Sequence, residues 1–223
     1  MRRASPGGVL PFSAVVKLYV DSVDPGEIVA CVAAKGTSGV TTSAARLAAA
    51  AAAAGRTPHE LLRELCGVAG GPVSVEIAAG ADDRDGMLRE ARAWAEIAAN
   101  VVVKLPPSAA GIEVVRACVA ERIRTAVGTC PSPEQALAAA RAGAAHVSAP
   151  VGRAGGVDGN DVIRKLVALF RTYGVPTEIV AAAIRIPTDV IDAALAGAHA
   201  AAAPAAVLRE LDAESSRQAD RRG

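Results

Sequence analysis

Asn100-Val101-Val102-Val103-Lys104-Leu105-Pro106 is a β-branched run broken by one lysine and closed by proline, the signature of a short buried strand. Behind it comes Ala109–Ala120, whose apolar residues recur at helical spacing, and then a second β-branched run, Ile123–Val127. Strand, helix and strand in immediate succession make a parallel βαβ unit, because a helical crossover returns the chain to the starting edge.

The same alternation extends both ways. Further candidate strands are Val15–Asp21, Gly39–Thr42, Val73–Ala79, Ala145–Ala149, Glu178–Ile184 and the weaker Ala198–Ala203. Helical spacing marks Ala44–Ala53, Thr57–Cys66, Gly86–Ala98, Pro133–Ala142, Asn160–Tyr173 and Thr188–Ala196. Ser132-Pro133-Glu134 reads as a helix start, and Gly143 and Gly197 read as stops. Eight strands alternating with helices in 223 residues predict a single-domain (β/α)8 TIM barrel, with a doubly wound open sheet as the second choice. Residues 1–14 read as an irregular N-terminal extension, 15–214 as the barrel and 215–223 as a polar C-terminal tail.

Composition narrows the function. Lys+Arg 24 against Asp+Glu 23 excludes a strongly basic nucleic-acid binder, and 2% aromatic residues cannot form a base-stacking platform. Cys31, Cys66, Cys118 and Cys130 are scattered without metal-ligand spacing, which reads as reduced thiols in a cytoplasm. Asp82, Asp83 and Asp85 lack calcium-loop spacing, and the glycines after Val151 form no nucleotide-binding pattern. The apolar runs are far shorter than the roughly 20 residues a membrane span needs. A soluble cytoplasmic protein with no metal, membrane or nucleic-acid partner is expected.

In a barrel strand the polar members of an apolar run mark the inward set. Lys17, Tyr19 and Asp21 then point inward, as do Ser74, Glu76, Asn100, Val102 and Lys104. Asp21, Glu76 and Lys104 fall toward the C-terminal strand ends, where barrel enzymes keep their active sites. Among four lysines, Lys104 alone interrupts a valine run. Desolvation there disfavours the ammonium and favours the free amine, the form that attacks a carbonyl. An ion pair with Glu76 or Asp21 is the structural alternative. Cys130, just past its strand, is a candidate reactive thiol.

The Lys104 segment, with Leu18-Tyr19-Val20-Asp21 and Gly39-Val40-Thr41-Thr42, resembles the small transaldolase and fructose 6-phosphate aldolase family. Pro72-Val73-Ser74-Val75-Glu76, Ala140-Arg141-Ala142-Gly143-Ala144, Val151-Gly152-Arg153 and Ala181-Ala182-Ala183-Ile184-Arg185 continue the resemblance in order to about residue 204. It implies a class I aldolase barrel that moves a dihydroxyacetone unit between sugar phosphates without a metal or organic cofactor. Lys104 would be the Schiff-base nucleophile, Asp21 the acid/base of carbon–carbon cleavage and Glu76 the residue that activates water. Glu76 leans toward transfer, since the aldolases carry glutamine there. Arg153 and Arg185 would hold phosphate, Thr41 and Ser43 would lie at the donor, and Thr129 aligns within one residue of a hydroxyl that assists water. Assembly into a homo-oligomer is also implied, although the chain lacks the family's longer aromatic-bearing terminal helix.

The departures from the pattern are Ser43 for asparagine, Pro150 for an aromatic, Ala183 for serine, and Gly155 and Gly156 for carboxylates. They point to retained chemistry on altered sugars, as in a specialised pathway that builds an unusual sugar phosphate for a natural product such as an antibiotic. Aldol cleavage without an acceptor and a silent sugar-phosphate-binding barrel are the other readings. Ser43 also reads as a helix cap.

Overall fold

The structure, a computed structural model, describes residues 16–34, 36–154 and 157–220. The expected extension at residues 1–14, and residues 221–223 of the expected tail, lie outside these.

The elements follow in the order β1 (Lys17–Asp21), α1 (Pro25–Ala33), β2 (Gly39–Thr41), α2 (Ala44–Ala53), α3 (Pro58–Val68), β3 (Val73–Glu76) and α4 (Arg84–Ala95). The chain continues through β4 (Val101–Leu105), α5 (Ala109–Ala120), β5 (Thr125–Val127), α6 (Pro133–Ala142) and β6 (His146–Pro150). A hairpin of β7 (Arg153–Ala154) and β8 (Val157–Asp158) precedes α7 (Gly159–Tyr173), β9 (Glu178–Ala182), α8 (Pro187–Leu195), β10 (Ala200–Ala203) and α9 (Ala205–Asp220). Eight strands close into a barrel in the order β1-β10-β9-β6-β5-β4-β3-β2, with every neighbouring pair parallel. The predicted (β/α)8 fold is the observed one, and the open sheet is excluded by closure between β1 and β2 and between β1 and β10.

The two faces of each strand divide the core. Outward-facing Val20, Val40, Val75, Val103, Val147 and Ile179 are fully buried under helix residues such as Ile28, Leu47, Leu62, Met87 and Leu166. Each large side chain buried there is worth about 1.5–3 kcal/mol of transfer free energy. Inside the barrel a separate cluster joins Tyr19 to Val180, Ala200 and Ala202. Alanines on β10 leave room for one ring, and the Tyr19 ring occupies it.

Ser43, Ser108 and Ser132 accept hydrogen bonds from the third backbone N–H of the helices that follow, and Thr57 and Glu60 form a reciprocal capping box. Gly143 ends α6 at φ +96°, where only glycine avoids strain.

Three elements were absent from the sequence reading. The first, α1, carries a legible start in Asp24-Pro25, with the Asp24 side chain accepting from Gly26 and Glu27 N–H groups. Its body, Ile28-Val29-Ala30-Cys31-Val32, is apolar at every position, so no helical stripe stands out. The second, α9, extends to Asp220, so the backbone of residues 215–220 of the expected polar tail is helical. The third is the β7–β8 hairpin, whose strands of two residues are too short to show periodicity. The expected strand Val73–Ala79 stops at Glu76, because the Ala78 and Ala79 N–H groups donate to the Glu90 carboxylate instead of to a neighbouring strand.

Candidate active site

Asp21, Thr41 and Glu76 are the last residues of β1, β2 and β3, and Lys104 is the penultimate residue of β4. Parallel closure brings these ends to one mouth of the barrel. A cavity of about 210 Å³ opens there, walled by Asp21, Thr41, Ser43, Arg46, Lys104 and Thr129, with Tyr19, His146, Ser148 and Ala202 deeper.

Lys104 enters this cavity from a strand whose other residues, Val101, Val102, Val103 and Leu105, are all buried. Its side chain is 18% exposed. Nζ donates to the Thr42 carbonyl at 3.2 Å. Glu76 lies opposite Lys104 in the β3–β4 register, and its Oε2 stands 3.6 Å from Nζ. Glu76 does not itself wall the cavity; it reaches the site through Lys104. Gly128 packs close to Ser148 beside the lysine stem: a Cβ there would come 3.0 Å from Ser148 Cβ, with Lys104 Cδ at an ordinary contact distance of 3.6 Å.

Glu90 holds the far side of this strand end. Its carboxylate accepts from Ala78 and Ala79 N–H groups at 2.8–3.0 Å and from Trp94 Nε1 at 3.1 Å. The chain beyond Glu76 is therefore pinned to α4.

Asp21 faces Arg46, a residue the sequence reading did not single out. Arg46 Nη1 donates to Asp21 Oδ1 at 2.7 Å and Nη2 to the Asp21 carbonyl at 3.3 Å. The signal was present in Ser43-Ala44-Ala45-Arg46, since the third helical position after a serine cap favours glutamate or glutamine. Ser43 caps α2, its Oγ accepting from Arg46 N–H at 3.4 Å, and it also walls the cavity.

The remaining expected residues are placed unevenly. Thr129 is at the wall, one residue past Gly128. Ala183, where the resemblance has serine, also walls the cavity and takes φ +60°, a left-handed conformation costly for alanine. Arg185 is exposed just before α8, with its N–H bonded to Asp189, and is not among the residues walling the cavity. The Arg153 backbone forms β7, while its side chain lies outside the described part, as do Gly155 and Gly156. The return of the hairpin is tight: a Cβ on Gly159 would fall 2.0 Å from the Pro150 carbonyl oxygen.

One expectation is corrected. Cys130 is not the reactive thiol expected just past its strand: it is fully buried, and burial pushes its thiol up to about 12. Lys17, the first residue of β1, lies at the opposite end of the barrel, where it pairs with Glu178 at 2.5 Å. His146 Nε2 lies 3.7 Å from Glu178, yet burial outweighs that attraction and holds the imidazole down at about 4. His146 is therefore a neutral wall of the cavity at pH 7.

Comparisons with known proteins show the family and the fold. The profile of the family described as Transaldolase/Fructose-6-phosphate aldolase matches residues 18–222. A Sorangium cellulosum protein named "Probable transaldolase" is 40% identical over 198 residues, covering 88% of this chain and 89% of that one. One of the same name from Bacillus cereus is 41% identical with the same coverage. Among solved structures, thiamine phosphate pyrophosphorylase from Pyrococcus furiosus shares the fold at a TM-score of 0.60 and 18% identity, over 91% of this chain and 96% of the other. At that identity the likeness speaks to the barrel alone.

Proposed function

The chain belongs to the transaldolase/fructose-6-phosphate aldolase family, and from that premise we propose that it moves a dihydroxyacetone unit from a ketose phosphate to an aldose phosphate through an imine on Lys104. The observation that carries this reading is a mostly buried lysine on an apolar strand, reaching a cavity that also holds the Asp21 carboxylate, with Glu76 3.6 Å from its amine.

The free amine of Lys104 attacks the ketose carbonyl carbon, and a proton moves to the oxygen. Loss of that oxygen as water leaves a protonated imine. Asp21 takes the proton from the hydroxyl on the far carbon of the bond that breaks, and that carbon becomes the carbonyl of the leaving aldehyde. The electron pair of that bond flows to the iminium nitrogen, leaving an enamine and releasing an aldehyde. The acceptor aldehyde then re-forms the bond in reverse, and water, activated by Glu76, hydrolyses the new imine. The protonated imine is the electron sink, so this scheme uses no metal. Thr129, at the wall, assists the same water.

Arg153 and Arg185 take the substrate phosphate in this reading, a role suited to the guanidinium fork. Support comes from topology: β6 and β9, which these arginines follow, are paired neighbours. Ser43 and Ala183 at the wall are smaller than the family pattern, and Pro150 ends β6 opposite Ala182 of β9. These substitutions support sugars that differ from the ordinary ones, as a specialised pathway requires.

Borohydride trapping with fructose 6-phosphate, sedoheptulose 7-phosphate and dihydroxyacetone, followed by peptide mass spectrometry, tests the reading. A reduced adduct on the peptide bearing Lys104, absent in Lys104→Met, is expected, with product formation dependent on an aldose phosphate. Turnover without acceptor would make the protein an aldolase. Ligand-induced stabilisation with no adduct on any donor would make it a binding barrel.

A further inference from the structure

Glu76 activates water in the scheme above, yet its carboxylate is held loosely at its own end. The ion pair with Lys104 Nζ, at 3.6 Å, is longer than a hydrogen bond, and the lysine donates to the Thr42 carbonyl instead. The place of the carboxylate is therefore set by the backbone that carries it.

That backbone is paired on one side. Toward β2 the pairing of β3 ends at Ser74. Toward β4 it continues through Glu76, and Ile77 N–H donates to the Lys104 carbonyl at 3.2 Å. The next two N–H groups, of Ala78 and Ala79, both turn to the Glu90 carboxylate at 2.8–3.0 Å, and Trp94 Nε1 donates to it at 3.1 Å. Three donors thus converge on one group that has two oxygens and no hydrogen to set against them.

Glu90 is itself firmly placed. It stands on α4 between Met87 and Ala91, both fully buried, and one turn before Trp94, which is buried and stacks on His59 with ring centroids 4.5 Å apart. Farther along the same loop, Ser108 Oγ donates to the Ala81 carbonyl at 2.6 Å.

We propose that Glu90 is a positioning residue for the reaction: by tying the chain just past β3 to α4, it keeps the Glu76 carboxylate at the Lys104 amine, where water is activated. This rests on the reading of Glu76 as the water-activating group. A displacement of about 1 Å is enough to cost on the order of 10²-fold in such a step.

The test is the rate of borohydride-trapped adduct formation with dihydroxyacetone in wild type, Glu90→Gln, Glu76→Gln and the double variant. Glu90→Gln keeps the size of the side chain but turns an NH₂ group toward the three donors. It should slow adduct formation about tenfold or more in the wild-type background and less than about twofold in Glu76→Gln, because a residue that acts through Glu76 has nothing left to position once Glu76 is changed. Equal slowing in both backgrounds is the mark of general loosening and overturns the proposal, as does an unchanged rate. Should Glu90→Gln not fold, Trp94→Phe serves in its place. It keeps a ring against His59, removes the indole donor, and should slow adduct formation about threefold in the wild-type background alone; an unchanged or background-independent rate again overturns the proposal.

A second measurement does not depend on a sugar. Reductive methylation of Lys104 by formaldehyde and cyanoborohydride, read on its peptide by mass spectrometry, should be at least about threefold faster in Glu76→Gln and in Glu90→Gln, with no further gain in the double variant, since in each the amine has lost the carboxylate that engages it. That pattern with no sugar adduct in any variant would sink the imine reading alone. Sugar adducts with Lys104 methylation equal in wild type and Glu90→Gln would sink this proposal alone.

Discussion

Glu76 and Lys104 are directly paired across β3 and β4, and Glu76 Oε2 stands 3.6 Å from Lys104 Nζ on the inner side of the barrel. A parallel register fixes that proximity, because paired residues on neighbouring strands project to the same face. The carboxylate closest to the amine is therefore set by the backbone rather than by a mobile loop.

Glu76→Gln keeps the shape and removes the charge. Imine formation and hydrolysis should slow by about 10²-fold, in the range for loss of a general acid or base. Stability should change by less than about 1 kcal/mol, since Glu76 is 42% exposed. Single-turnover trapping and a denaturant titration check both. Unchanged imine rates with slower bond cleavage would assign Glu76 to a different step.

Asp21→Asn separates the two halves of the reaction. Carbon–carbon cleavage should fall about 10²–10⁴-fold while the trapped imine remains detectable. Equal loss of both would contradict the acid/base role of Asp21.

Gly128 sits tightly against Ser148 and within contact of the lysine stem. Gly128→Val sets a Cβ 3.0 Å from Ser148 Cβ and 3.6 Å from Lys104 Cδ, and its methyl groups crowd the lysine stem. A stability loss of about 1–3 kcal/mol with a larger fractional loss of adduct formation is expected. Retention of full trapping rate would show that the stem has room to spare.

Acid should destabilise the barrel through His146. Its folded-state value of about 4 lies below the ordinary 6.5, because burial disfavours the charged ring more than Glu178 favours it. Between those values the unfolded chain binds a proton that the folded chain refuses. The contribution is intact above about pH 6.5 and is lost as pH falls toward 4, by roughly 3 kcal/mol. Lys17 and Arg124 add to the effect by repelling the imidazolium. Urea midpoints from pH 4.5 to 7 should show a steeper fall for wild type than for His146→Gln. Parallel slopes would remove His146 as the cause.

The thiols should be silent in the folded state. Cys31, Cys66, Cys118 and Cys130 are all buried, and burial pushes Cys66 and Cys118 up to about 11 and Cys130 to about 12. An aromatic disulfide reagent at pH 8 should label them at least about 10²-fold more slowly than a free cysteine. In urea all four should react. Fast labelling of one thiol in the folded protein would mean that its segment opens locally.

The barrel was legible in the sequence because strand and helix periodicities alternate along most of the chain, and Ala44–Ala53, Ala109–Ala120 and Pro133–Ala142 match their helices residue for residue. The inward set was legible for the same reason: a period of two places Asp21, Glu76 and Lys104 on one face once the strands are known. What escaped was whatever depends on a partner remote in the chain. The end of β3 at Glu76 depends on Glu90, one helix later. Arg185 sits close in sequence to wall residue Ala183 and still lies outside the wall. Arg46 became a cavity residue only when β1 and β2 paired and brought Asp21 within reach.

By itself the sequence determined the period of each segment, and so which side chains face the axis and which lysine sits among valines. Tertiary closure decided which of those inward groups share one mouth, which carboxylate stands at the amine and which at an arginine. Period is a local property set by backbone sterics. Proximity across the barrel depends on the register of eight pairings that no single segment encodes.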